Sequence, residues 1–361
     1  MITKNDTKHN YRRARSAQAL TMADIAFHAQ KLAFAPISFQ AAMALRDFNI
    51  LCLLNEKART DKELAKITKL SLYAVQTLLE VGESLELVKN QNGLYELTKT
   101  GWFFAFDPMT RANADFVQDV CYLGMFKLQD SLQKQRPSGL RVFGKWKTVY
   151  EGLSQLPKKV QKSWFSFDHF YSDIAFEEIL PLVFENHPKT IFDIGGNTGR
   201  WAKKCLAYNK EVRVGIVDLP GQLKMARKNL QKYAKRVSFH AANVLDPKTV
   251  LARGGDVYLM SQFLDCFSQA QIVSILKKVK QAAGANARIY ILEPLWDRQE
   301  YPASAYCLQH TSLYFTNIAN GNSKMYSFPQ LELCVQKAGL KVEKVFDGVG
   351  RFSYTLVRCK R

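Results

Sequence analysis

The sequence predicts an α/β fold: a seven-stranded, mostly parallel sheet with an antiparallel last strand, preceded by a helical winged-helix domain. Three observations carry this expectation. From Thr190 onward short apolar runs alternate with amphipathic segments, as a doubly wound sheet requires. A glycine-rich stretch, Asp193 to Gly199, follows the first of those runs. Nearer the N-terminus, two helical segments lead into Asn92-Gly93 between apolar runs, a strong hairpin signal.

Taken in order, residues 1–20 are polar and basic, with Arg12, Arg13 and Arg15 together, and are expected to form a flexible lead-in. Residues 21–106 read as the winged-helix domain. Apolar residues recur at helical spacing from Ile37 to Leu54, which predicts one long helix with a buried face. Thr60-Asp-Lys-Glu63 has the form of a capping box, and Ser71 is placed to open the next helix. Leu87-Val88 and Leu94 to Leu97 then flank the turn as the wing. Residues 107–185 are rich in aromatics and helical in tendency, and read as a connector contributing to an acceptor pocket. Residues 186–361 carry the sheet. Its strands are expected at Thr190 to Ile194, Val212 to Asp218, Val237 to Ala241, Val257 to Ser261, Arg288 to Glu293, Val342 to Phe346 and Phe352 to Val357, with helices between the first five.

Composition narrows the class. With 361 residues, 47% of them hydrophobic, the chain can bury a full core. No apolar run approaches the roughly 20 residues of a bilayer span, and no secretory signal opens the chain, so no membrane span and a cytoplasmic location are expected. Seven scattered cysteines without a Cys-x-x-Cys pair predict reduced thiols and no metal site. The net charge of +19 is unevenly placed, since residues 1–120 hold 15 basic and 13 acidic side chains. A winged helix on a basic protein invites a DNA-binding role. Ser71 to Leu87, however, has no Lys or Arg and carries Glu80, Glu83 and Glu86, which argues against contact with phosphates. Its apolar residues, with Ile25, Phe27, Leu32, Phe34 and Phe39, suit a homodimer interface instead. The basic excess in the remaining two thirds reads as a solvated surface. The alternative is a rim between Lys127 and Lys162 for an acidic acyl carrier protein presenting a tethered substrate.

Ligands of an open parallel sheet bind beyond the carboxyl ends of its strands near the switch point, where Asp193-Ile-Gly-Gly-Asn-Thr-Gly199 falls. Gly195, Gly196 and Gly199 allow a sharp turn and close approach of backbone to ligand. The spacing departs from the Gly-x-Gly-x-x-Gly of dinucleotide sites. A carboxylate at Asp193 suits an amino group and a sulfonium better than a pyrophosphate. Asp218, at the end of the second strand, is placed to accept hydrogen bonds from ribose hydroxyls, and Asn243 to meet an adenine edge. These features point to S-adenosylmethionine.

On these residues, with Val217-Asp-Leu-Pro220, Ala242-Asn-Val-Leu245 and Met260 to Phe267, the chain resembles class I methyltransferases. Within them it resembles the small-molecule O-methyltransferases that carry an N-terminal winged-helix dimerisation domain. The resemblance covers nearly the whole chain. It implies a Rossmann-like catalytic domain, a homodimer, and a small aromatic hydroxylated acceptor in secondary metabolism. It also implies cofactor contacts at Leu219, Val244, Ser261 and Gln262. Family enzymes place a catalytic histidine after the fourth strand, where this chain has Asp265, and a supporting glutamate matched by Glu293. Phe167-Asp-His-Phe-Tyr171 resembles the segment that packs near the methyl group, with Tyr171 in place of a methionine.

A phenol has a pKa near 10 and a free aspartate about 3.9, so Asp265 needs burial, or repulsion from Glu293, to serve as base. It can equally anchor the acceptor hydroxyl, or merely cap the helix beginning near Ser268. His169 and His310 are alternative bases lying in acceptor-lining segments. Tyr306, Tyr314 and Phe315 can wall a flat substrate. Since a phenolate is also nucleophilic at its ortho carbons, aromatic C-methylation of a free or carrier-bound substrate, as in aryl polyene or polyketide pathways, is the alternative reaction. An inactive cofactor-binding homologue is a third reading.

Overall fold

A computed structural model describes residues 20–172, 175–351 and 353–361. The expected lead-in lies outside the described residues apart from Leu20. The chain divides into two compact units, Met1–Val117 and Gln118–Arg361.

In the first unit, α1 (Met22–Asp47) starts from a capping box in which Thr21 and Asp24 satisfy each other's backbone donors. Periodicity predicted one helix from Ile37 to Leu54. The structure corrects both ends of that reading: the helix begins at Met22 and breaks before α2 (Ile50–Glu56). The break falls at Asn49, whose φ of 62° is left-handed, a conformation asparagine tolerates better than most residues. α3 (Asp61–Thr68) carries the expected Thr60/Glu63 box, and Ser71 caps α4 (Leu72–Ser84). The wing, β1 (Val88–Gln91) and β2 (Leu94–Leu97), turns at Asn92-Gly93, both with positive φ as a two-residue hairpin requires. α5 (Lys99–Phe106) and α6 (Pro108–Phe116) complete the unit. Its core joins Leu45, Ile50, Leu51, Leu64, Val75 and Leu79. Each such side chain contributes about 1.5–3 kcal/mol by leaving water. The N-terminal half of α1 lies outside that core and exposes Met22, Ile25, Phe27, Leu32, Phe34 and Ile37.

The second unit opens with α7 (Leu128–Lys134), α8 (Val149–Gly152), α9 (Lys158–Ser172) and α10 (Ala175–Val183). The sheet follows as β3 (Thr190–Ile194), α11 (Arg200–Tyr208), β4 (Arg213–Asp218), α12 (Pro220–Asn229), β5 (Val237–Ala241), β6 (Val257–Ser261), α13 (Gln269–Ala282) and β7 (Arg288–Glu293). It ends with α14 (Pro302–Tyr314), α15 (Phe328–Lys337), β8 (Lys341–Val349) and β9 (Tyr354–Lys360). The strand order is β5-β4-β3-β6-β7-β9-β8, with β9 antiparallel to both neighbours. The first five strands fall within a residue of where the apolar runs placed them, while β8 runs on to Val349 and β9 starts at Tyr354 and continues to Lys360, Phe352 lying outside the described residues. One crossover differs: no helix joins β5 to β6, because residues 242–256 form irregular backbone containing Pro247, Gly254 and Gly255. Alternation along the strands feeds two cores. Phe192, Tyr258, Met260, Ile289 and Ile291 pack with α13 and α15, while Ile191, Val257, Leu259, Tyr290 and Leu292 pack with α10 and α11. The chain leaves β3 toward β4 and β5 and returns to β6 on its other side, so the switch-point crevice lies between β3 and β6.

Candidate active site

The glycine-rich loop starts at that crevice. Gly195 has a φ of +77°, and a Cβ there would lie 2.2 Å from the Phe263 ring. At Gly196 a Cβ would lie 2.5 Å from Asp193 Oδ2. Only backbone fits at either position, and Gly199, at φ +80°, then enters α11 from the left-handed region. Asp193 is 2% exposed, its Oδ2 is buried with no hydrogen-bond partner, and burial with the nearby Asp218 charge pushes its carboxyl up to about 8. A buried carboxyl with one oxygen left unpartnered fits a cation as its missing ligand.

Asp218 ties the loop to the end of β4. Its Oδ2 accepts from Asn197 N–H at 2.8 Å and its Oδ1 from Leu219 N–H at 2.6 Å. Burial raises its carboxyl above the usual range, and each oxygen keeps lone pairs for further donors. Leu219 is exposed at the start of α12, and Asn243 is exposed after β5, its Oδ1 accepting from Leu245 N–H at 3.0 Å. Val244 is buried, and its carbonyl and that of Asp246 each accept from Lys278 Nζ at 2.6 Å. Ser261 is half-buried at the end of β6. The Gln262 amide instead donates to the Tyr354 hydroxyl on β9.

Beyond β6, Asp265 sits in a short 3-10 turn, Leu264–Cys266. It does not cap α13, since Ser268 does so with Gln271. Asp265 and Glu293 are both buried, and each presents one oxygen without a partner, Oδ1 and Oε2. Both line a small cavity with Pro294, Leu295, Met325 and Tyr326. Glu293 Oε1 accepts from Phe263 and Leu264 N–H at 3.0 and 2.8 Å, which fixes the turn to β7. Burial raises Asp265 to about 6, and burial with the Asp265 charge raises Glu293 well above the carboxylate range. Each charge on this buried pair makes the other harder to form.

The remaining candidates separate from this pair. His310 is exposed on α14, with Nδ1 2.7 Å from the Tyr306 carbonyl and its ring 3.8 Å from the Tyr306 ring. Tyr314 is buried, and its hydroxyl accepts from Trp164 Nε1 at 2.7 Å. Phe167 is half-buried on α9, while the side chains of His169 and Tyr171 lie outside the described residues. Sequence reasoning missed Trp164, Lys278 and Tyr354, since nothing local marks a partner that far along the chain. Among the described residues no cluster of His, Cys, Asp or Glu forms a metal site.

Comparison with known proteins decides the family. The O-methyltransferase domain model matches residues 127–338, more than half of the chain, and the Dimerisation2-like domain model matches residues 16–95.

The chain belongs to the O-methyltransferase domain family.

This O-methyltransferase is 22% identical to demethylspheroidene O-methyltransferase of Rhodobacter capsulatus over 313 residues, covering 85% of this chain and 75% of that one. A shorter match, 27% over 124 residues, is to phenazine-1-carboxylate N-methyltransferase of Pseudomonas aeruginosa, covering 34% and 36% of the two chains. Among solved structures, the S-adenosylmethionine-dependent methyltransferase SibL in its apo form aligns with a TM-score of 0.70 at 22% identity, over 92% of this chain and 98% of that one. An O-methyltransferase from neocarzinostatin biosynthesis, solved with S-adenosylmethionine and 2-hydroxy-5-methyl naphthoic acid, aligns at 0.63 and 19%, over 90% and 95%. The fold is that of class I methyltransferases, and S-adenosylmethionine is the cofactor of this O-methyltransferase. Among the described residues no single helix is long and apolar enough to cross a membrane.

Proposed function

We propose that this enzyme methylates the hydroxyl of a small aromatic acceptor, with Asp265 as base or hydroxyl anchor and Glu293 supporting it. The observation that carries this reading is the pair of unpartnered buried oxygens, Asp265 Oδ1 beyond the end of β6 and Glu293 Oε2 at the end of β7. Asp193, the three loop glycines, Asp218, Leu219, the Asn243-Val244 segment and Ser261 hold the cofactor. Gln262 serves through its backbone, its side chain being committed to Tyr354. Bound there, S-adenosylmethionine supplies an electrophilic methyl on its sulfonium.

The protein's own task is alignment and proton removal. Raised to about 6, Asp265 lies about four pKa units below a phenol instead of about six, which makes it the stronger base for that proton. Residues 107–185 contribute to the acceptor pocket. The exposed apolar half of α1 and the Dimerisation2-like match support a homodimer through the N-terminal domain, and seven free cysteines suit the cytoplasm. A DNA-binding role is disfavoured, because α4 exposes Glu80 and Glu83 and has no basic residue.

Mass spectrometry of phenols incubated with the enzyme and S-adenosylmethionine tests the reading. An O-methyl product is expected, with turnover falling as pH drops through about 6 because the ionised form acts. Asp265→Asn is expected to lose about 100-fold or more in kcat. Retained turnover would transfer the role to His310 or His169. A ring-methylated product would reassign the chemistry to carbon, and cofactor binding without any product would favour a non-catalytic homologue.

A further inference from the structure

Where the chain leaves β6, Gln262 has a φ of +45°, in the left-handed region that glutamine rarely enters. Asn197 in the glycine-rich loop shares that region, but asparagine settles there with its short polar side chain. At Gln262 the conformation is imposed by partners on other strands. Its N–H donates to the Leu292 carbonyl at 2.9 Å, continuing the ladder between β6 and β7 by one bond. Its side-chain amide reaches past β7 and donates to the Tyr354 hydroxyl on β9, two strands away. Tyr354 is 1% exposed and packs in the core. The next residues carry the consequence. The Phe263 ring lies against the Gly195 backbone, so close that a Cβ there would be 2.2 Å from it, and it meets the Phe267 ring edge to face at 4.9 Å between centroids. The Phe263 and Leu264 N–H groups are turned onto Glu293 Oε1.

We infer that Tyr354 is a positioning residue for cofactor binding: by holding the Gln262 side chain it keeps residue 262 left-handed, and that turn seats Phe263 on the glycine-rich loop. The inference rests on the reading of that loop as the cofactor cradle. A strained residue persists only where its surroundings outweigh the strain. At Gln262 a backbone bond and a side-chain bond do so together. With the side-chain bond removed, the backbone bond opposes relaxation to negative φ with less help. Such a relaxation swings the peptide between residues 262 and 263, withdraws the Phe263 ring from Gly195 and moves the end of β6 that faces the cofactor. Affinity then falls in proportion to the fraction of molecules that keep the turn. A glycine at position 262 would need no tether, because it enters the left-handed region without steric cost.

Titration calorimetry with S-adenosylmethionine tests this without an acceptor. Tyr354→Phe keeps the ring in the core and removes the hydroxyl, and should weaken binding about fivefold, the worth of one hydrogen bond. Gln262→Ala loses the tether yet still carries a Cβ at positive φ, and should weaken binding about tenfold. Gln262→Gly loses the same tether but relieves the strain, and should bind within about threefold of the parent. In the Gln262→Gly background, Tyr354→Phe should cost nothing further. Gln262 is only half-buried, so its two variants stay informative even if Tyr354→Phe fails to fold. Gln262→Gly that binds as weakly as Gln262→Ala would overturn the inference. So would a Tyr354→Phe loss of equal size in both backgrounds, or variants whose Tm falls while their affinity stays at the parent value, the mark of a merely structural pair. Asp193→Asn separates the two readings. If it binds as the parent does at pH 7.5, the cradle reading fails and the inference with it; if it binds more weakly, the variants at positions 262 and 354 judge the inference alone.

Discussion

Asp193 gives the sharpest quantitative expectation, because its proton has to leave when a cation arrives. With its carboxyl at about 8, Asp193 is mostly neutral at pH 7. Ionising it costs about 2.7 kcal/mol at pH 6 and about 0.8 kcal/mol at pH 7.5. The amino group of the cofactor, with an ordinary α-amino pKa near 8, stays largely charged across that range. The difference converts to S-adenosylmethionine affinity that rises about 25-fold from pH 6 to pH 7.5. Binding at pH 6.5 should release close to one proton, measurable by titration calorimetry in buffers of different ionisation enthalpy. Asp193→Asn should flatten the pH dependence, abolish the proton release and weaken binding at pH 7.5. The sign extends to stability. A carboxyl raised in the folded state contributes stability below its unfolded value near 4, and that contribution is lost as pH rises toward 8. Cofactor offsets the loss, so the gain in Tm on adding it should grow with pH. Parent protein that binds with no proton release, or Asp193→Asn that keeps the slope, would refute the reasoning.

Three further expectations follow from the geometry. Gly195→Ala must place a methyl at φ +77° and 2.2 Å from the Phe263 ring, so it should cost about 2–4 kcal/mol in stability by denaturant unfolding and weaken cofactor binding at least tenfold. Lys278→Met leaves the Val244 and Asp246 carbonyls without their donor, and cofactor KM should rise with little change in kcat as the loop after β5 loosens; a changed kcat at constant KM would contradict this. Leu32→Asp together with Phe34→Asp puts charge into the exposed apolar half of α1, and sedimentation velocity should then report monomers in place of dimers.

The sequence by itself determined the features whose causes act within a few residues. The Thr60/Glu63 box, the Ser71 cap and the Asn92-Gly93 turn are local bargains between a side chain and backbone three or four positions away, and the strands are apolar runs bounded by turn residues. The cradle was legible for the same reason, since Asp193, its glycines and Asp218 lie at strand ends that the pattern fixes. Even the break at Asn49 and the irregular path from β5 to β6 left only weak local signs. What the tertiary structure alone decided were polar partnerships made after packing. These are Gln262 with Tyr354, Tyr314 with Trp164, Lys278 with the carbonyls after β5, and Tyr150 with Cys266. The electrostatics belong with them. Asp193 and Asp265 are ordinary acids in sequence, and only burial, joined at Asp193 by the Asp218 charge, raises their carboxyls toward neutrality. Desolvation depends on everything that surrounds a group, and no window of the sequence contains that.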